Sequence, residues 1–357
     1  MISRLGQAPF WSSAVWKSAV WKSAAWHAVA LLWRLAGHGL RAVPQSTAYA
    51  ISGVVADRVY GNWPHGRRNI RANLRPVLGI NSSLDSDDRS VLDYWGRRQL
   101  RRYAELLVDE ARLPGRSRAD CFDALITDEW PELDRALSDP RPLIFAVMHF
   151  GNWDVAGAAF AERGAESGAA DPPLVLVESL GHPALDAVIH GQRRRLGMVP
   201  VSIEQAPLSA LRALRRGGTV GILIDRPLTR LEPGVRSPGV DVTFCGAPCR
   251  LPDGFARLAL STNARIIPLA TARIPGRDFR FTPLLDFDFT YASTGDRQAD
   301  VQALTQSVLN VHQQWVRRYP DQWYQFRPFF NDERVETQPQ PRKHAAKSGT
   351  VAQGTGG

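Results

Sequence analysis

His149 and Asp154 stand five positions apart in Met148-His149-Phe150-Gly151-Asn152-Trp153-Asp154, directly after the apolar run Leu143-Ile-Phe-Ala-Val-Met148. An imidazole that titrates near neutrality is a natural base for a hydroxyl. A carboxylate on its second nitrogen fixes the tautomer and stabilises the imidazolium that forms. On one continuous helix a five-residue spacing separates two side chains by about 140°. The spacing therefore predicts contact only if His149 sits on the turn before a helix and Asp154 in that helix's first turn. Gly151 and Asn152 suit such a turn, and Val155-Ala-Gly-Ala-Ala-Phe160 continues as a small-residue helix. An acid five positions after a histidine is common by chance, so the strand–turn–helix context carries the signal.

Other reactive groups are less suggestive. Glu178 and His182 lack a third ligand nearby, so no metal site is expected. Cys121, Cys245 and Cys249 are an odd set without a CxxC spacing, which fits buried thiols in a reducing compartment. Gly217-Gly218 reads as a turn, and no GxxxxGK or strand-bound GxGxxG occurs, so no nucleotide cofactor is implied. Arg193, Arg194 and Arg195 form a run that is either a solvated face or an anion site. Asp225, just past another apolar run, either caps a turn or joins the chemistry.

The elements that would position these groups alternate from about residue 140. Strand-like runs occur at Leu143–Met148, Leu174–Val177, Val199–Ile203, Val220–Ile224 and Ile266–Ala270, with helical stretches at 184–196, 206–216 and 252–262 between them. This rhythm predicts an α/β fold: a central, mostly parallel sheet with helices on both faces and ligands at the carboxyl ends of the strands. A helix is expected over 87–113, a late strand over Phe279–Phe289, a long helix over 298–319, and a disordered tail beyond 330.

The chain has 357 residues and a net charge of +9. Its first 75 residues hold ten Lys or Arg and one acid, Asp57, so they carry the whole excess. They also hold six of the eleven tryptophans, several in the five-residue repeat of Ala14-Val-Trp-Lys-Ser-Ala-Val-Trp-Lys-Ser-Ala-Ala-Trp26. A long polyanion such as nucleic acid would not select a charge confined to one end; an anionic membrane surface would. Lys17 and Lys22 interrupt the apolar run, leaving it too short to span a bilayer. The organisation expected is a helical membrane-interface segment at 1–75, an α/β catalytic domain at 76–330 and a tail at 331–357.

Four blocks in order, followed by a C-terminal signature, resemble the bacterial acyltransferases of late lipid A biosynthesis and the related phosphatidylinositol mannoside acyltransferases. They are His149-Phe-Gly-Asn-Trp-Asp154, similar to the HxxxxD/E catalytic block; Arg193-Arg-Arg-Leu-Gly-Met198; Ile224-Asp-Arg-Pro-Leu228; and Val242-Thr-Phe-Cys-Gly246 with Leu251-Pro-Asp-Gly254. Gln322-Trp-Tyr-Gln-Phe-Arg-Pro328 matches the C-terminal signature, and the likeness runs from about residue 60 to 330. The resemblance implies a glycerolipid-acyltransferase-like fold and transfer of a fatty acyl chain from an acyl thioester, on acyl carrier protein or coenzyme A, to a hydroxyl of a membrane glycolipid. The setting implied is the cytoplasmic face of the bacterial inner membrane, with the protein bound peripherally and no cofactor beyond the thioester co-substrate. His149 would be the base, Asp154 its orienting carboxylate and Asp225 a further catalytic acid near it. Asn152, Trp153, Arg193 and Arg226 would contact substrate. A lysophospholipid or glycerolipid acyltransferase, and a non-catalytic membrane-binding relative, are the alternatives.

Overall fold

The computed structural model describes residues 14–80, 86–168, 171–179, 182–203, 205–226 and 239–330, with side chains from Trp26 onward in the first helix. The expected tail at 331–357 and residues 1–13 of the tryptophan-rich segment lie outside them.

Four helices come first: α1 (Ala14–Ala42), α2 (Gln45–Asn62), α3 (Pro64–Val77) and α4 (Ser86–Arg112). α4 packs on all three of the others, so the helical layer continues past residue 75. Tyr60 of α2, Ile70 and Leu74 of α3 and Leu92 and Leu100 of α4 bury one another in a small separate core. None of the helices described is long and apolar enough to cross a membrane. Two short helices, α5 (Arg118–Ala124) and α6 (Trp130–Ser138), lead into the sheet.

The sheet then alternates as the apolar runs require: β1 (Leu143–Gly151), α7 (Trp153–Glu166), β2 (Leu174–Val177), α8 (Pro183–Arg195), β3 (Val199–Ser202), α9 (Ala206–Arg215) and β4 (Thr219–Leu223). A separate antiparallel hairpin follows, β5 (Val240–Phe244) with β6 (Ala247–Leu251), and then α10 (Gly254–Thr262), β7 (Arg265–Arg273), β8 (Phe281–Leu285) and α11 (Arg297–Arg318). The strand order is β3-β2-β4-β1-β7-β8, parallel throughout except for the edge strand β8. The late strand is shorter than the expected 279–289, and Phe279 before it adopts a left-handed φ of 49°.

β1 is central, and all nine of its residues are buried. Its alternate side chains feed two cores. Ile144, Ala146, Met148 and Phe150 pack with Ala210, Ala256 and Val308 from α9, α10 and α11. Phe145 and Val147 pack on the other face with Val155, Ala158 and Ala159 of α7. A strand buried on both faces has no polar alternation to show, which is why its sequence is a continuous apolar run.

Candidate active site

The parallel register of β1 and β4 decides which carboxylate meets the histidine. Leu143 lies opposite Thr219 and Val147 opposite Leu223. Continued by two residues, that register sets His149 level with Asp225, 76 positions away in sequence. Asp225 Oδ1 is 2.7 Å from His149 Nδ1, and the His149 backbone N–H faces both Asp225 oxygens at 3.1 Å. Asp225 has no exposed surface. Burial alone would push its carboxyl up, but the His149 charge and the hydrogen bonds from His149 and Trp323 hold it below the usual carboxylate range. An ionised carboxylate only accepts, so Nδ1 carries a proton, and in the neutral ring the lone pair falls on Nε2.

The expected pairing of His149 with Asp154 is thereby corrected. The turn forms at Gly151 and Asn152, with φ of 58° at Gly151 and Asn152 capping α7, and Asp154 lies in that helix's first turn, but His149 stays within β1 and not on the turn. Asp154 instead faces α8, where Arg193 grips it through Nε to Oδ1 at 2.6 Å and Nη2 to Oδ2 at 2.9 Å. A guanidinium fork matches both carboxylate oxygens at once, a stronger arrangement than a single imidazole contact, and the His149 Nδ1 position is already taken by Asp225.

This ion pair also settles which arginine of the run turns inward. Arg193 does; Arg194 is exposed, and Arg195 donates to the carbonyls of Leu113 and Arg116. Arg193 nonetheless contributes to the cavity wall. Asn152, expected against substrate, is spent on structure. Its Oδ1 accepts the Val155 N–H at 3.0 Å, its Nδ2 faces Asp109 at 3.5 Å, and it is fully buried away from the cavity. Trp153 and Arg226 do line the cavity, Trp153 edge-on to the His149 ring at 5.2 Å between centroids. Arg226 Nε lies 3.3 Å from the Glu178 carboxylate.

That cavity measures about 1590 Å³, above the usual size of a small-molecule pocket. His149 and Tyr103 stand at its wall, and from there it follows α7, whose Trp153, Gly157, Ala161 and Gly164 face it about one turn apart. Phe145 and Val147 of β1 line it from the sheet. A Cβ at Gly157 would meet the Met198 sulfur, so the glycine lets that side chain lie against α7.

Sequence reasoning missed two groups around this centre. Glu110 of α4 is buried; desolvation, then the Asp154 charge, push its carboxyl well up, and Gln192 Nε2 donates to it at 3.1 Å. Trp323 and Gln325, within the C-terminal signature, both bond Asp225. The motif was visible, but its role depends on contacts across a hundred residues. Among the described residues no group of three or more His, Cys, Asp or Glu is placed to hold a metal ion. The three cysteines are free and buried, and burial pushes the Cys121 and Cys249 thiols up to about 12.

An imidazole hydrogen-bonded to a buried carboxylate, at the wall of a large and mainly apolar cavity, is an arrangement that can take a proton from a hydroxyl beside room for an apolar group. Residues 17–331 match the model of the bacterial lipid A biosynthesis acyltransferase family; the chain belongs to that family and is an acyltransferase. It is similar to the phosphatidylinositol mannoside acyltransferase of Mycolicibacterium smegmatis, 28% identical over 301 residues that cover 83% of this chain and 88% of that protein. Its likeness to the enzyme of the same description from Mycobacterium tuberculosis is 30% over 270 residues, covering 74% and 77%.

Proposed function

We propose that this protein transfers a fatty acyl chain from a thioester of coenzyme A or acyl carrier protein to a hydroxyl of a membrane glycolipid of the phosphatidylinositol mannoside type. The observation that carries the reading is the His149–Asp225 pair opening on the cavity along α7. The acyl chain lies along the small-residue stripe of α7, and its thioester carbonyl stands beside His149. His149 Nε2 takes the acceptor hydroxyl proton as the oxygen attacks the carbonyl carbon. A C–O bond forms, the C–S bond breaks, and the proton passes from the imidazolium to the departing thiolate. Asp225 stabilises the imidazolium meanwhile. Arg226 supplies positive charge at the cavity wall for the carbonyl oxygen or a substrate phosphate.

Peripheral attachment to an anionic membrane, at the cytoplasmic face of the inner membrane, belongs to the same reading. Leu31, Leu32 and Leu35 of α1 and Ile51, Val54 and Val55 of α2 are all more than half exposed, and Arg34, Arg41 and Arg58 stand on the same two helices. Exposed apolar residues beside basic ones on each helix suit a lipid surface.

The test is acyl transfer from a labelled long-chain thioester to detergent-dispersed phosphatidylinositol mannoside, lipid A precursor and lysophospholipid, compared arm by arm. His149→Ala should lower turnover by about 10²- to 10⁴-fold. Near-normal transfer by that variant would remove His149 as the base, and preference for the lysophospholipid would move the protein to glycerolipid chemistry.

A further inference from the structure

The C-terminal signature crosses the molecule beside the catalytic strand. The isolated bridge Phe150↔Trp323 and the Tyr324 N–H on the His149 carbonyl, at 2.8 Å, lay it along the end of β1. Side-chain amides fasten it from the helical layer: Asn69 to the Phe326 carbonyl at 3.0 Å, Asn73 to the carbonyls of Gln325 at 2.9 Å and Arg327 at 2.7 Å, and Gln99 to the Trp323 carbonyl. A segment held at so many points can place one atom accurately.

The atom in question is Trp323 Nε1. The indole ring is fully buried among Phe244, at 5.3 Å between centroids, and Phe329, at 4.9 Å. Packing accounts for the ring but not for where its N–H points. That N–H donates to Asp225 Oδ2 at 3.0 Å, while Gln325 Nε2 donates to the Asp225 carbonyl at 2.9 Å. Rotation of an aspartate carboxylate about χ2 is soft, so its plane must be set by donors. His149 Nδ1 engages Oδ1 only, the His149 backbone N–H is shared between both oxygens, and among the described residues the Trp323 indole is the side-chain donor to Oδ2.

We propose that Trp323 is a positioning residue for the reaction: its indole N–H pins the Asp225 carboxylate so that Oδ1 is always presented to His149 Nδ1. The inference rests on the reading of His149 as the base. Without that N–H the carboxylate is held only from His149 and its ionised form loses a donor. The charged or titratable groups facing the pair are His149 itself on β1, Arg226 beside Asp225, His312 of α11 from below, and Tyr103, Asp154 and Arg193 from the cavity side. The signature itself brings only the neutral Trp323 and Gln325 to Asp225.

The test compares the unmodified protein, Trp323→Phe, and a chain carrying benzothienylalanine at 323, which keeps the indole shape without the N–H. Transfer is read as kcat and KM across pH with whichever thioester, coenzyme A or carrier protein, the unmodified protein uses. Both changes should lower kcat by about 10- to 100-fold with KM within about twofold, in the range for removing a partner that orients a catalytic ligand. Activity needs both the free imidazole lone pair and the ionised carboxylate, so the acid limb belongs to the coupled His149–Asp225 pair, and losing a donor to the carboxylate should move it to higher pH. In protein labelled with ¹⁵N-tryptophan, the Trp323 indole signal should follow the titration of Asp225. If Trp323→Phe fails to fold, the isosteric chain and the indole signal decide. A wild-type profile with full kcat in the isosteric chain, while His149→Ala is inactive, overturns the role of Trp323 alone. An active His149→Ala overturns both readings.

Discussion

Asp154 and Asp225 are both buried carboxylates near His149, and their partners separate their roles. Asp225→Asn replaces an acceptor of the imidazole N–H by an amide that favours the wrong tautomer and cannot stabilise the imidazolium. Its turnover should fall by about 10²- to 10⁴-fold in the acyl-transfer assay. Its stability should also lose part of its pH dependence. The Asp225 carboxyl ionises below its unfolded-chain value, so its stabilising contribution is present at neutral pH. That contribution begins to fade as pH drops through the ordinary carboxylate range and is gone below the folded value. Asp154→Asn acts differently. It leaves Arg193 without its carboxylate in a site where the side chains are 15% and 7% exposed, and breaking a buried pair costs about 3–5 kcal/mol. Chemical denaturation should therefore show the larger stability loss for Asp154→Asn and the assay the larger turnover loss for Asp225→Asn; the reverse order would exchange the roles assigned here.

At the scale of the element, the turn between β1 and α7 sets where His149 stands. Gly151 occupies the left-handed region, and a Cβ there would overlap the Thr271 carbonyl oxygen of β7. The register of β1 against β7 shifts between Val147 and Gly151, and the Asn152 N–H bonds Thr271 O at 3.2 Å beyond it. Gly151→Ala pays the left-handed strain of about 1–3 kcal/mol and must also push two strands apart. Urea unfolding should show a loss beyond that strain, with turnover falling as His149 moves. Gly246, at the tip of the β5–β6 hairpin, has φ of 86° but no atom within 4 Å of an added Cβ. Gly246→Ala should show the strain alone and keep its activity; equal losses at the two sites would remove the turn as the determinant of the site.

For the whole molecule, the helical layer that carries the proposed attachment also supports the site. Gly37 of α1 lies so close to α4 that a Cβ would meet the Ala111 carbonyl, and Arg112 caps the end of α1 through the carbonyls of Leu40 and Val43. Arg273 of β7 pairs with Asp109 of α4, tying the layer to the sheet. Deleting α1 would thus disturb the body, and point changes on the outer face are the cleaner probe of membrane binding. Val54→Glu with Val55→Glu, at positions 61% and 55% exposed, should reduce co-sedimentation with anionic vesicles while leaving thermal stability near that of the unmodified protein. High salt should weaken binding of the unmodified protein without abolishing it, because the basic residues act within a Debye length of about 8 Å and the apolar face does not depend on charge. Undiminished sedimentation of the double variant would place the membrane contact elsewhere.

Local pattern was enough for much of this protein. The apolar runs gave β1, β2, β4 and β7 to within a few residues, because strands packed inside a parallel sheet are marked by their own composition, and they also gave the edge strand β3, none of whose residues is buried. His149 was legible for the same reason: it follows the apolar run of β1 and precedes a turn of Gly and Asn. The short helices α5 and α6 and the β5–β6 hairpin carry too few periods to stand out, and α2 and α3 are ordered by a shared core. The resemblance implied Asp225 near His149, but that Asp225 instead of Asp154 takes Nδ1, and that Arg193 takes Asp154, could not be read along the chain. Asp225 reaches the imidazole through strand register, Arg193 selects Asp154 because α8 passes beside α7, and Trp323 reaches Asp225 from a segment anchored by amides of α3 and α4. Composition and spacing act over a few residues and fix elements, whereas hydrogen-bond partners are chosen by distance in the folded state, where residues far apart in sequence become neighbours.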